Sequence, residues 1–165
     1  MGAYLVTGNP GSGKSAVCAE LSRRGLAAVD TDDLAFWADS AGVQVDPPDA
    51  PDAGWLRNHR WVWSRSRIEQ YISASGGSGC VFFCGIAVNQ SEMLDLFQEV
   101  FLLVIDDVTQ RARLSARTEA VKQQIREGLP VFQAQMLAHG AVPLDGTAEP
   151  AAVTDSLLAY RRHRR

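Results

Sequence analysis

The 165-residue chain predicts a three-layer α/β fold, a five-stranded parallel sheet with helices on both faces, and three observations carry that prediction. Short apolar runs alternate with segments of helical period from one end to the other. Two of the runs, Cys80–Cys84 and Val100–Ile105, are apolar at every position, the profile of strands covered on both faces. The composition, 46% hydrophobic and 21% charged, is that of one globular domain large enough to fold on an ordinary core.

The elements follow in order. Ala3–Thr7 is a strand, stopped by Gly8-Asn9-Pro10-Gly11. From Ser12 the period turns helical through Ala16, Val17 and Leu21, and Arg23, Arg24 and Gly25 supply the C-terminal signals. Leu26–Val29 is a second strand, ending at Asp30. Thr31-Asp32-Asp33 then offers an N-cap for a helix to about Ser40. Gly42–Gly54, with Pro47, Pro48 and Pro51, reads as a long loop, a length associated with function or motion. Arg57–Tyr71 is helical and Gly76–Gly79 breaks it. Cys80–Cys84 is the third strand, Asn89–Phe97 a helix and Val100–Ile105 the fourth strand. A charged helix spans Thr109–Glu127, interrupted at Gly128 and Pro130, and another spans Val131–His139. Val142–Leu144 is the fifth strand and Ala151–Tyr160 the last helix, with Arg161–Arg165 as a frayed basic tail. Strand followed by helix, repeated, gives parallel pairing.

Charge and cysteine content narrow the function. Sixteen basic against nineteen acidic residues leave a net charge of −3, so no nucleic-acid partner is expected. Cys18, Cys80 and Cys84 are odd in number and lack CxxC spacing, which predicts buried free thiols in a reducing compartment. No apolar stretch approaches the ~20 residues of a membrane span. The expected location is the cytoplasm. His59 and His139 have no partner pattern and are expected in solvent or core roles.

One motif carries chemistry. Gly8-Asn9-Pro10-Gly11-Ser12-Gly13-Lys14-Ser15, followed by Ala16, fits G-x-x-x-x-G-K-[ST], directly after a strand and at the start of a helix. The glycines let successive N–H groups turn inward on phosphate oxygens, and the helix N-terminus adds partial positive charge. Lys14, one of only two lysines, is placed to reach the β- and γ-phosphates, and the Ser15 hydroxyl to ligate Mg²⁺. Gly11-x-Gly13-x-x-Ala16, with Asp30 downstream, also satisfies the dinucleotide pattern. That pattern wants its first glycine at the strand end, whereas Gly11 lies four residues past Thr7. A guanine-reading N-K-x-D is absent, because Lys122 stands in Val121-Lys122-Gln123-Gln124.

The phosphate loop, the strand ending Asp30-Thr31-Asp32, the segment Gln110–Arg117 and Leu144-Asp145-Gly146-Thr147 together resemble the small P-loop kinases, the adenylate kinase and shikimate kinase group. The resemblance spans nearly the whole chain. The D-x-D is similar to shikimate kinases and the R-x-x-x-R to nucleotide kinases. It implies a P-loop NTPase fold with a small lid, one domain over 1–165, an acceptor-binding segment at 42–76 and a lid at 107–130. It implies ATP with Mg²⁺ as donor. The γ-phosphoryl group would pass to a small acceptor, a nucleoside or nucleoside monophosphate ahead of a shikimate-like metabolite. A non-catalytic nucleotide-binding module is the other class.

Under the resemblance Asp30 orients the metal through water, and Asp32 accepts from the acceptor hydroxyl, or merely caps the following helix. Arg113 and Arg117, four apart and on one helix face, close over the transferring group or simply pair on a solvated face. Arg111 stacks on the base or simply faces solvent, and the segment Asp145-Gly146-Thr147 borders the base. Arg57, Arg60 and Trp61 hold the acceptor, and Gly85 lets it approach the end of the third strand. The run Gly85-Ile86-Ala87-Val88-Asn89-Gln90 departs from both families, lacking further glycines and the arginine found there. Acceptor identity stays open on sequence.

Overall fold

Described in a computed structural model are residues 2–75, 79–115 and 131–163. The chain runs β1 (Gly2–Gly8), α1 (Lys14–Arg23) and β2 (Ala27–Asp30), then a 3-10 turn (Thr31–Leu34) into β3 (Ala35–Ala38) and β4 (Gln44–Val45). Next come α2 (Ala53–Asn58), β5 (Arg60–Trp63), α3 (Arg65–Ala74) and β6 (Cys80–Cys84). A second 3-10 segment (Gln90–Leu96) precedes β7 (Glu99–Val104) and α4 (Asp107–Arg113). Helical residues 131–138 form α5, followed by β8 (Val142–Asp145) and α6 (Pro150–His163).

Five strands pair in parallel in the order β2-β6-β1-β7-β8, which is the predicted sheet. Alternation within the strands builds the layers. Tyr4, Val6, Phe82 and Cys84 pack with Val17 and Leu21 of α1 and Val153 and Leu157 of α6. Ala3, Leu5, Val81 and Phe83 turn the other way and join Trp63, Ile68 and Met93. Both faces are therefore covered, as parallel sheets require. β1 lies where the strand order turns, first to β2 and β6, then to β7 and β8. Ligands of such sheets bind beyond the carboxyl ends at that point.

The region between β2 and β6 departs from the sequence reading. The helix expected to about Ser40 is a single 3-10 turn followed by strand, and the helix expected over 57–71 is α2, β5 and α3. A second, antiparallel sheet β4-β3-β5 results, pairing Phe36 with Val62 and Trp37 with Trp61. Ala35-Phe36-Trp37-Ala38 and Arg60-Trp61-Val62-Trp63 are rich in residues that favour pleated surface. Cross-strand contact between the Trp37 and Trp61 rings, centroids 5.3 Å apart, outweighs the weak helical period. Asn89 fixes the end of β5, accepting from the Trp63 amide at 2.9 Å and donating to its carbonyl at 3.0 Å. The helix expected over 109–127 is described only as α4, its remainder lying outside the described residues.

The basic tail also differs. α6 continues to His163, and the Arg161 guanidinium lies 5.3 Å from the Tyr4 ring centroid and 5.8 Å from that of Phe82. Arg24 joins α1 to α6 through Asp155 at 2.5 Å and the Ala151 carbonyl at 3.1 Å. Glu20 braces Arg24 and Arg23, each at 2.7 Å, and the hydrogen bond from Arg23, then that from Arg24, lowers its carboxyl to about 2. An ordinary glutamate titrates near ~4.3, so this clasp stabilises fully above that value and is lost as pH falls toward 2. Amide protection in α6, taken relative to the intrinsic exchange rate at each pH, is expected to fall between pH 4 and 2 more than in β1, and Glu20→Gln to remove the difference. Equal loss of protection in both elements would contradict the assignment. Among the described residues no helix is long and apolar enough to cross a membrane.

Candidate active site

The loop between β1 and α1 is shaped by backbone demands that its sequence meets. Gly13 caps α1 in the left-handed region (φ 99°), and no side chain makes a capping hydrogen bond there. The first turn of α1 contains no acidic residue, so no side-chain carboxylate of its own competes there for an incoming anion. At Gly8 a Cβ would come within 2.8 Å of the Leu103 carbonyl oxygen, so the loop can leave the sheet here only without a side chain. Lys14 Nζ donates to the carbonyls of Gly8 at 2.8 Å and Asn9 at 3.1 Å, folded along the rim of the loop it would serve.

Asp30 ends β2 beside this loop. Its Oδ2 accepts from Ser15 Oγ at 3.1 Å, and its Oδ1 accepts from the Asp32 amide at 3.1 Å. The cap of the 3-10 turn is thus Asp30, and the capping alternative for Asp32 falls away. Asp32 is exposed within that turn. The Ser15 hydroxyl and Asp30 carboxylate are hard oxygen donors in contact at a helix start, a set that suits Mg²⁺ shared with phosphate oxygens. Among the described residues no three-member cluster of His, Cys, Asp or Glu offers a metal cage, and Mg²⁺ rarely uses one.

α4 clasps the loop from the other side. Gln110 Nε2 donates to the Pro10 carbonyl at 3.0 Å. Arg113 Nη1 bridges the carbonyls of Gly11 at 3.0 Å and Gly146 at 2.9 Å, joining the phosphate loop to the turn after β8. To serve a transferring phosphoryl group Arg113 has to exchange these carbonyls for phosphate oxygens. Arg111 is exposed, 4.0 Å from Asp107. Arg117 and the lid beyond residue 115 lie outside the described residues. In the turn itself Asp145 Oδ1 accepts from the Thr147 hydroxyl at 2.6 Å and amide at 2.9 Å, and the hydroxyl, then the amide, holds its carboxyl below the usual range. A Cβ on Gly146 would meet Ile105 at 2.8 Å and the Ser12 carbonyl at 3.1 Å, so this turn presses on the phosphate loop.

A cavity of about 400 Å³ adjoins Asn9 and Pro10. Trp37, His59, Trp61 and Phe132 supply its ring-bearing walls, and Ile86–Val88, Gln90 and Met136 part of the remainder. Of the expected acceptor residues only Trp61 lines it. Arg57 and Arg60 are exposed and stand outside the described lining. Gly85 has another reason to be glycine: a Cβ there would sit 1.6 Å from Thr31 Oγ1, so the close neighbour is the chain's own buried threonine. Sequence reasoning missed Trp37, His59, Gln90 and Met136. The aromatic quartets of β3 and β5 signalled the tryptophan pair. Gln90 and Met136 meet only through tertiary packing, for which one sequence holds no signal.

No family model and no curated protein sequence matches the chain. Solved structures do. A shikimate kinase from Acinetobacter baumannii in complex with shikimate matches at TM-score 0.61 and 14% identity, covering 100% of this chain and 95% of that one. A sugar kinase from Janibacter sp. HTCC2649, unliganded, matches at TM-score 0.57 and 17% identity, covering 98% and 95%. A deoxyadenosine kinase from M. mycoides with bound dATP matches at TM-score 0.54 and 10% identity, covering 97% and 99%. The sheet order, the loop after β1 and these full-length matches agree: the chain has the fold of the small P-loop kinases.

Proposed function

We propose that the chain is an ATP-dependent phosphotransferase acting on the hydroxyl of a small molecule. The contact of Ser15 Oγ with Asp30 Oδ2 at 3.1 Å carries the reading most, because it joins the phosphate loop to the acidic strand end at an uncapped helix start. The similar structures are kinases of a sugar, of shikimate and of deoxyadenosine, which supports the reaction class and leaves the acceptor to this chain's own cavity.

The loop amides from Gly11 to Ala16 would hold the phosphates, and Lys14 would leave the Gly8 and Asn9 carbonyls for the β- and γ-oxygens. Asp32 would accept the proton of the acceptor hydroxyl as its oxygen bonds to the γ-phosphorus and the bond to the ADP oxygen breaks. Arg113, with Arg117, would neutralise charge on the transferring oxygens. Arg111 and Asp145-Gly146-Thr147 would border the base. Ser15, and Asp30 through water, would hold Mg²⁺, which when bound supplies charge neutralisation on the phosphates. The acceptor would enter from the 42–76 segment, whose Trp61 lines the cavity.

Acceptor-dependent ADP release, screened over nucleosides, nucleoside monophosphates, sugars and hydroxylated acids, tests this directly. At least one compound should raise release well above the acceptor-free rate. A rate indifferent to every acceptor would contradict phosphotransfer and favour a nucleotide-binding module.

A further inference from the structure

The cavity beside the phosphate loop has a chemical character that narrows its occupant. Its described lining contains no lysine, arginine, aspartate or glutamate. Two arginines of the neighbouring segment are engaged elsewhere, Arg65 with Glu69 at 3.1 Å and with Asp95, and Arg67 at 5.8 Å from the Phe36 ring centroid, while Arg57 and Arg60 are exposed and outside the described lining. A carboxylate or phosphate on the acceptor would meet no counter-charge on these walls, and burying one unpaired is costly. Flat apolar surface is plentiful instead. Trp37 contacts Trp61 at 5.3 Å and Trp55 at 4.9 Å between centroids, and His59 stacks on Trp55 at 4.1 Å.

Among these walls Gln90 stands out. It is 2% exposed, and its orientation is set by donors: Oε1 accepts from Thr7 Oγ1 at 3.1 Å and from the Ala87 amide at 3.4 Å. Its Nε2 is consequently turned to Met136 Sδ at 3.0 Å. A thioether is a weak acceptor, so a buried amide NH₂ is held where a better acceptor would be welcome. His59 Nδ1 lies 2.8 Å from the Trp55 carbonyl, a pure acceptor, so Nδ1 carries a proton there and the ring is held in place against Trp55.

We infer that the acceptor is an uncharged, ring-bearing hydroxyl compound, packed on Trp37 and Trp61, with Gln90 Nε2 donating to one of its oxygen or ring-nitrogen atoms. The inference rests on the phosphotransferase reading and deepens it. Nucleosides are the uncharged ring compounds of suitable chemistry with which to probe it, alongside neutral hexoses and cyclitols.

The test compares each neutral compound with a charged counterpart that keeps the ring: nucleosides with their 5′-monophosphates, hexoses with hexuronates, cyclitols with shikimate. Acceptor-dependent ADP release and tryptophan fluorescence quenching are read with ATP and Mg²⁺ or a non-hydrolysable analogue. A neutral ring compound should be used at least tenfold more efficiently than its charged counterpart. Trp61→Leu and, separately, Gln90→Met, which keeps the side chain's length and removes the amide donor, should each raise its KM at least tenfold. Calorimetric affinity for ATP should stay within twofold in both variants, which shows that each has folded. Preference for a phosphate or carboxylate compound would overturn the inference and leave phosphotransfer standing. So would unchanged KM in both variants. No acceptor-dependent release with any compound would overturn both readings together.

Discussion

Lys14→Ala is expected to lower acceptor-dependent phosphoryl transfer by about 10²–10³-fold at saturating ATP, about 3–4 kcal/mol of transition-state stabilisation. Lys14 Nζ donates to the Gly8 and Asn9 carbonyls, so it contributes to the loop's own order as well. Those bonds bind a cation to neutral carbonyls, and a polyphosphate is the stronger partner by charge. The variant should therefore keep its fold, with circular dichroism and melting temperature close to the parent protein, while turnover collapses. Turnover within threefold of the parent would remove Lys14 from the reaction.

Gly85→Ala is expected to destabilise the protein by about 2–3 kcal/mol, an overpacking cost at the upper end of the usual range. The new methyl would stand 1.6 Å from Thr31 Oγ1 and 2.9 Å from Thr31 Cβ, and Thr31 is fully buried. Thr31 also donates to the Cys84 carbonyl at 3.4 Å, so moving it disturbs the end of β6. For a chain of this size the melting temperature should fall by roughly 5–10 °C. Combining it with Thr31→Ala should recover part of the loss, a coupling that thermal denaturation of the four proteins measures. An unchanged melting temperature with a raised acceptor KM would instead return Gly85 to the acceptor site.

These cases mark where sequence was sufficient. The parallel sheet was legible because β6 and the run Val100–Val104 of β7 are wholly apolar and the other strands of the sheet stop at glycine or aspartate. The phosphate loop was legible because Gly8, Gly13 and Lys14 each satisfy a local demand, of close approach, backbone angle or charge. Asp30 was legible as an acid at a strand end, although its second task, capping the turn through the Asp32 amide, needed coordinates. The antiparallel sheet was not. Arg57–Tyr71 has weak helical spacing, and only the pairing of β5 with β3 across more than twenty residues makes strand the better state. Tertiary pairing of that kind overrides local propensity. Arg57 and Arg60, expected at the acceptor, are exposed and outside the described lining of the cavity, a placement that charge and spacing alone do not reveal. Gln90 and Met136 illustrate the remaining gap, since a donor facing a thioether 46 positions away is a property of the folded chain.

Isothermal titration of ATP with Mg²⁺ into the protein tests the central claim that residues 8–15 enclose a polyphosphate. Saturable binding at one site per chain is predicted, with ADP weaker, adenosine undetectable, and Lys14→Ala reducing affinity. Absence of heat with both ATP and GTP, in a protein whose melting curve shows it folded, would contradict it.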